Sequence, residues 1–270
     1  MQITDETRNI GKGGWAPAVT FVLVTYAVSW GALLLLRGTA QSGSIRSFWI
    51  FVFVTVWSPT IVAFITALLF NGRSGIRQLL RLLFRPLAQP RSWYVVAIAV
   101  PFVVVSAAIA IARALHASAP FIPLAAVPLT VAMQAVTGAA GEEFGWRGFL
   151  LPELQSKLSK RKSAALMAMT WSLWHVSAFF FPGMPQILIP PAAFLITVAA
   201  FGFFLALIFN QTNGHVLATM LAHFTFNVGL AIGGAQFSAT LWWSLASLFG
   251  IVAFWSAVRL GSSANSLQTP

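Results

Sequence analysis

The chain has 270 residues, of which 58% are hydrophobic and only 8% are charged. Soluble domains are about half apolar and about a quarter charged, so this composition predicts an all-α polytopic membrane protein, with residues 1–270 forming one integral membrane domain. Cysteine is absent, which excludes disulfides, a thiol nucleophile and cysteine-ligated zinc. The net charge of +11 does not indicate nucleic-acid binding, because the basic residues lie in short loops between apolar runs.

Eight apolar stretches are long enough to be transmembrane helices, which need roughly 20 residues each. We predict one bundle of spans at approximately 16–36, 48–70, 93–115, 124–144, 163–181, 191–210, 216–233 and 239–258. The fourth helix is expected to continue beyond the membrane to about Leu158.

Charged loops orient this bundle. Two loops are rich in basic residues: Arg73, Arg77, Arg81, Arg85 and Arg91 after span two, and Arg147, Lys157, Lys160, Arg161 and Lys162 after span four. The opposite loops offer only Arg37 and Arg46, with Arg113 near a span end. The positive-inside rule therefore predicts that both rich loops and both termini face the cytoplasm.

The basic segment Arg73–Leu87 has its own pattern. Its arginines recur every four residues between apolar side chains, as in RSGIRQLLRLLFRPL. This pattern is typical of an amphipathic helix that lies on the inner leaflet of the bilayer. We interpret it as a lipid anchor rather than a substrate site.

Carboxylate side chains are rare in the chain after residue 6. Only Glu142, Glu143 and Glu153 occur there, and two of them are adjacent at the end of an apolar stretch. A charged carboxylate in hydrocarbon is costly, so it indicates a functional site. Glu143 and Arg147 have the i, i+4 spacing that permits an ion pair. Glu142 lies about 100° round the helix, so it is predicted to face the bundle interior.

Later spans contribute further polar side chains in apolar surroundings. His175 lies in span five, one turn after Trp171, at a depth predicted to be near mid-membrane. His223 and Asn227 lie in span seven, also at i, i+4, so both belong to one helix face. Taken singly, each could be a hydrogen bond between helices.

Together, Glu142, His175, His223 and Asn227 form the set that hydrolysis requires. A glutamate or histidine can take a proton from water, and histidine and asparagine can stabilise an oxyanion. Alternatively, Glu142, His175 and His223 could bind Zn²⁺ and leave one position open for water. Asparagine is a poor zinc ligand, which favours the metal-free alternative slightly.

Other hydrolytic signatures fail. There is no His-Glu-x-x-His motif, and the single aspartate, Asp5, excludes a paired-aspartate protease. The rhomboid-like string at 72–75 lies in the basic loop rather than within a span. His116 and His215 are predicted to be loop or interfacial residues.

These motifs resemble the CPBP family, the type 2 CAAX-prenyl-protease and bacteriocin-processing (Abi) membrane proteases. The resemblance covers roughly residues 120–235 and rests on Glu-Glu-x-x-x-Arg at 142–147, Trp-x-x-x-His at 171–175 and His-x-x-x-Asn at 223–227. Many members have phenylalanine where this chain has Trp171. The sequence around 142–152 is typical of the bacterial branch, which implies a bacterial inner membrane.

The resemblance implies an intramembrane endopeptidase in which Glu142 and His175 activate water. It implies that His223 and Asn227 form the oxyanion hole, with Glu143, Arg147 and Trp171 in support. Peptide or protein substrates in or at the membrane would be cut in its cytoplasmic half, by this mechanism or with Zn²⁺. The alternatives are a non-catalytic immunity or scaffold protein of the same fold, and a proton-coupled transporter.

Overall fold

A computed structural model of the chain describes residues 14–40, 45–87, 90–115, 121–180, 184–234 and 237–262. Within these ranges the chain is helical and contains no β-strand, which confirms the all-α fold class. The helices are α1 (Ala16–Ala40), α2 (Ile45–Thr55), α3 (Ser58–Arg81), α4 (Ser92–Ala114), α5 (Val127–Val136), α6 (Ala139–Glu143), α7 (Leu151–Gln155), α8 (Lys160–Trp174), α9 (Pro191–Gln211), α10 (Val216–Gly233) and α11 (Ala239–Ser262).

Seven helical stretches of the described ranges are long and apolar enough to cross a membrane, so the chain is an integral membrane protein. They are Ala16–Leu35, Ser58–Arg81, Ser92–Ala114, Leu124–Gln155, Pro191–Gln211, Val216–Gly233 and Ala239–Gly261. Both chain termini lie outside the described residues, so their predicted cytoplasmic position stays a prediction.

Two predicted spans are wrong in their limits. The stretch 48–70 divides between α2 and α3, because Pro59 lies in the first turn of α3, where its missing N–H is tolerated. The stretch 163–181 is not a single helix either. Its α-helix, α8, has 15 residues, and a 3₁₀ segment, His175–Phe180, follows it. Pro182 comes two residues after Phe180 in the sequence and disfavours a continued helix.

The fourth stretch is helical throughout most of its length but irregular. A 3₁₀ turn (Leu124–Ala126) and α5 lead to a break at Gly138, and a π-helix, Phe144–Leu150, joins α6 to α7. The helix ends at Gln155 rather than near Leu158. π-Helical turns are rare and frequently occur at functional sites. Here the π-helix follows directly after Glu142 and Glu143.

The basic segment is the second half of α3 rather than a separate helix. Gly72 (φ 59°) marks a kink between residues 58–71 and 73–81, a positive φ that glycine adopts without strain. The helix ends at Arg81, so the predicted helical stretch to Leu87 is too long. Whether this half lies on a leaflet stays a prediction.

Candidate active site

A buried ion pair lies at the centre of the bundle. Oε1 of Glu143 accepts a 2.8 Å hydrogen bond from Nη1 of Arg147, and both side chains are 0% exposed. The same oxygen lies 2.8 Å from Nδ1 of His223. The predicted i, i+4 pair therefore exists, and it joins the fourth membrane stretch to α10.

Glu142 lies on another face, as predicted. Its Oε2 accepts a 2.7 Å hydrogen bond from Nε1 of Trp171, and the residue is 6% exposed. The side chain lines a cavity of about 360 Å³. Adjacent carboxylates thus have different partners: Glu143 has a cation and an imidazole, whereas Glu142 has an indole N–H.

Trp171 contacts four members of the polar cluster, which comprises Glu142, Glu143, Arg147, His175, His223 and Asn227. Besides donating to Glu142, its ring lies 4.1 Å below the guanidinium carbon of Arg147. It also meets the rings of His175 and His223 edge-on, at centroid distances of 5.6 and 5.3 Å. Cation–π and edge contacts of this kind fix an aromatic ring in place. Trp171 therefore positions the cluster as well as contacting Glu142.

His175 lies at the C-terminal end of α8, where the regular helix stops. Its Nδ1 is 2.9 Å from the carbonyl oxygen of Trp171. A carbonyl only accepts, so Nδ1 carries the hydrogen and neutral His175 has its lone pair on Nε2. The residue lines the cavity beside Phe194 and Trp174, at ring distances of 5.4 and 4.8 Å.

His223 and Asn227 lie one turn apart on α10 and both line the cavity. Because Nδ1 of His223 faces a carboxylate, Nε2 is left for the cavity. Asn227 packs against the backbone break at Gly138, where an added Cβ would lie 2.5 Å from Nδ2 of the amide. Glycine at 138 therefore makes room for Asn227.

The cavity thus brings together Glu142, Trp171, His175, His223 and Asn227, while Glu143 and Arg147 support them from behind. Its other walls are largely aromatic and aliphatic. They include Leu33, Phe51, Phe194, Phe201, Phe226, Leu230 and Trp242. The catalytic roles implied for these residues remain predictions, because proximity alone does not assign them.

The polar side chains at the cavity only partly suit Zn²⁺. Both histidines donate from Nδ1 and leave Nε2 available, which is the usual state of a zinc ligand. However, no three His, Asp or Glu side chains of the described residues form a group that could hold a metal ion. The described residues therefore present no ready-made three-ligand zinc site.

Some residues at the site were missed from the sequence. Gln134 and Gln186 line the cavity, and so do Trp174 and Ser29, which are joined by a 2.7 Å hydrogen bond from the indole to the hydroxyl. Gln134 was detectable, because it is a polar residue two turns before Glu142 in an apolar stretch. His215 is a structural residue, bonded to Tyr94 and to the carbonyl of Leu83, and His116 lies outside the described residues.

The fold and the cavity together define the class of protein: an integral membrane protein with a buried polar site that contains a glutamate and two histidines. Residues 124–229 match the family model described as "Type II CAAX prenyl endopeptidase Rce1-like". The match covers less than half of the chain, and it confirms the resemblance to CPBP proteases over that segment. The segment contains every predicted site residue.

A curated relative agrees with this assignment over a short stretch. The chain is 45% identical over 42 residues to CAAX prenyl protease 2 of Methanococcus maripaludis. The match covers 16% of this chain and 16% of the relative. The family is one of peptide hydrolases.

Proposed function

We propose that this chain is an intramembrane endopeptidase that hydrolyses peptide bonds of membrane-associated or leader-peptide substrates. The observation that carries the proposal is the environment of Glu142. Its carboxylate lines a cavity in a membrane bundle, its bonded partner is an indole N–H, and two histidines and an asparagine line the same cavity. A scaffold protein would have no need for this costly arrangement.

Glu142 is the proposed general base. It takes a proton from a water molecule in the cavity, and the oxygen of that water attacks the scissile carbonyl carbon. The lone pair on Nε2 of His175 accepts a hydrogen bond from the same water and holds it for attack. The protonated Glu142 then delivers its proton to the amine that leaves.

His223 and Asn227 are the proposed oxyanion donors. Asn227 donates from its amide. His223 donates from Nε2 only when it is an imidazolium, because Nδ1 is occupied by the Glu143 carboxylate. Glu143 stabilises that cation, and Arg147 fixes Glu143. Preorganised donors of this kind typically contribute about 3–4 kcal/mol to transition-state stabilisation.

The proposed location is a bacterial inner membrane with both termini in the cytoplasm. The asymmetry of the basic loops supports that orientation. The walls of the cavity favour an extended peptide with apolar side chains. The name of the Methanococcus relative refers to prenylated CAAX sequences, so these sequences are one substrate class to test.

The test compares Glu142→Gln with Glu153→Gln in detergent, using fluorogenic CAAX-like and leader peptides. Glu153 is a matched control, because it is a buried glutamate on the same stretch, bonded to Lys157 and distant from the cavity. We expect Glu142→Gln to lower cleavage by about 10²–10⁴-fold and Glu153→Gln to retain it.

Chelator addition decides between the two forms of the chemistry. Cleavage that survives chelator supports the glutamate-activated water, whereas loss that zinc restores makes zinc the activator. Full cleavage by Glu142→Gln would make the mechanism wrong. Full biological function in a Glu142→Ala, His223→Ala double variant would favour an immunity or scaffold protein instead.

A further inference from the structure

The basic loops gather at one end of the bundle. Arg85 donates to the carbonyl of Asn213, and Nε of Arg161 donates to the carbonyl of Ala257 at 2.9 Å. The first contact joins the end of α3 to the α9–α10 turn, and the second joins the start of α8 to the end of α11. Helix α9, which ends at that turn, packs against both α8 and α11, so the two contacts lie at the same end of the bundle. We call this the basic end. Its cations are Arg73, Arg77, Arg81, Arg85, Lys157, Lys160, Arg161, Lys162 and Arg259.

The opposite end of the bundle, here the distal end, is also defined by contacts. Nη2 of Arg113 donates to the carbonyl of Gly233 at 3.0 Å, which joins the end of α4 to the end of α10. Nε1 of Trp57 donates to the carbonyl of Val136 at 2.9 Å, between the start of α3 and the end of α5. The chain segments at this end contain few basic residues.

The catalytic cavity extends from the cluster toward the distal end. From Asn227 its wall continues one turn along α10 to Ala231 and then to Phe237, before α11. On the other side it reaches Phe51 of α2 and Gln186, before α9. Phe237 is 46% exposed, so the lining reaches the surface at this end.

Toward the basic end the cluster is closed by packed side chains. Trp146, Met167 and Leu205 are each 0% exposed. Each lies four residues, about one turn, closer to the basic end than a cavity-lining residue of its own chain segment. Those cavity-lining residues are Glu142, Trp171 and Phe201 respectively. Leu150 and Ile208 extend this seal by another turn, at 1% and 0% exposure.

We propose that the cavity receives its peptide from the membrane face opposite the basic loops. The positive-inside rule makes that face the non-cytoplasmic one. This inference rests on the proposed function and narrows its substrates to apolar segments held in, or emerging from, the outer half of the membrane. It replaces the expectation of cleavage in the cytoplasmic half, and a lipidated cytoplasmic C-terminus would be on the wrong side of the seal.

Single-cysteine labelling tests the access route without requiring catalysis. The chain contains no cysteine, so each introduced thiol is unique. We expect a membrane-impermeant maleimide to label Phe237→Cys and the deeper Ala231→Cys in intact cells. Lys160→Cys, an exposed control at the basic end, is expected to label only after permeabilisation. Labelling of Lys160→Cys in intact cells, or of Ala231→Cys only in inverted vesicles, would overturn the proposal.

A second arm separates access from activity. Two membrane-anchored reporters carry the same cleavable segment, one just outside and one just inside the membrane, and are expressed with wild type or Glu142→Gln. Glu142-dependent cleavage of the outer reporter supports the proposal, and cleavage of the inner reporter alone overturns it. Distal labelling in a protein that cleaves neither reporter would support the access route while counting against the proposed protease activity.

Discussion

Two glutamates on one membrane stretch each pair with a cation four residues later, yet the two pairs differ in almost every other respect. Glu143 and Arg147 are 0% exposed and 2.8 Å apart. Glu153 and Lys157, near the basic end, are 3.4 Å apart, and the lysine side chain is 11% exposed. The same spacing therefore produces a central element of the site in one place and an ordinary edge salt bridge in the other.

The two ion pairs differ because the buried pair also contacts other residues of the site. Oε1 of Glu143 also contacts His223, and the Arg147 guanidinium lies over Trp171, which donates to Glu142. Nε and Nη2 of Arg147 have no hydrogen-bond partner among the described residues. A pair retained at such a desolvation cost indicates that positioning, rather than stability, is its role.

Breaking the Glu143–Arg147 pair should have the largest effect on the stability of the protein. Glu143→Gln leaves the Arg147 charge buried without its counter-ion, so we expect a loss of about 3–5 kcal/mol in the free energy of unfolding. Glu153→Gln should cost no more than about 1 kcal/mol, because its partner remains partly solvated. Thermal unfolding in detergent measures both.

A double variant distinguishes charge burial from a general packing defect. Glu143→Gln combined with Arg147→Met removes both charges, so it should be more stable than Glu143→Gln alone. Equal or lower stability of the double variant would contradict the assignment of the loss to an orphaned guanidinium.

The packing around two glycines of the π-helix gives a second, smaller contrast between the part of this stretch nearer the site and the part nearer the basic end. An added Cβ at Gly145 would lie 2.5 Å from the carbonyl oxygen of Pro59, whereas one at Gly148 would meet nothing closer than 3.5 Å. We expect Gly145→Ala to cost about 1–3 kcal/mol, the usual range for overpacking. Gly148→Ala should unfold close to the wild-type temperature, and equal losses in both would show that the π-helix, rather than the approach of α3, sets the cost.

The sequence was sufficient to predict one buried ion pair and one polar helix face, while their catalytic roles stay predictions. Glutamates in an apolar stretch, and i, i+4 spacings at 143–147 and 223–227, identified the pair and the polar face of α10, because helical periodicity is a local property. The indole contact to Glu142 was not predicted, since it depends on how α8 packs against α6.

Helix limits and the direction of the cavity could not be predicted in the same way. Hydropathy does not register a π-helix at 144–150 or a break at Gly138, because both leave the apolar composition unchanged. The seal formed by Trp146, Met167 and Leu205 depends on which faces of three stretches meet. Such tertiary contacts override what a single helix indicates by itself.

The smallest effect is expected from the indole of Trp171. Trp171→Phe keeps an aromatic ring against Arg147 and both histidines but removes the 2.7 Å hydrogen bond to Glu142. Because Glu142 lines a cavity, water can take the place of the indole, so the net loss should be about 1 kcal/mol, or roughly five- to tenfold in cleavage.

Trp255→Phe is the matched control at the basic end, where the ring stacks on Trp93 at 6.1 Å, away from the cavity. It should leave kcat unchanged, whereas Trp171→Phe should lower kcat with little change in KM, since the lost contact is to the proposed base rather than to the peptide. A change confined to KM would mean that Trp171 acts through the shape of the peptide cavity. In that case the Trp171 hydrogen bond would not contribute to the contrast. Only the Glu143–Arg147 pair would then distinguish the part of the fourth membrane stretch at the site from the part near the basic end.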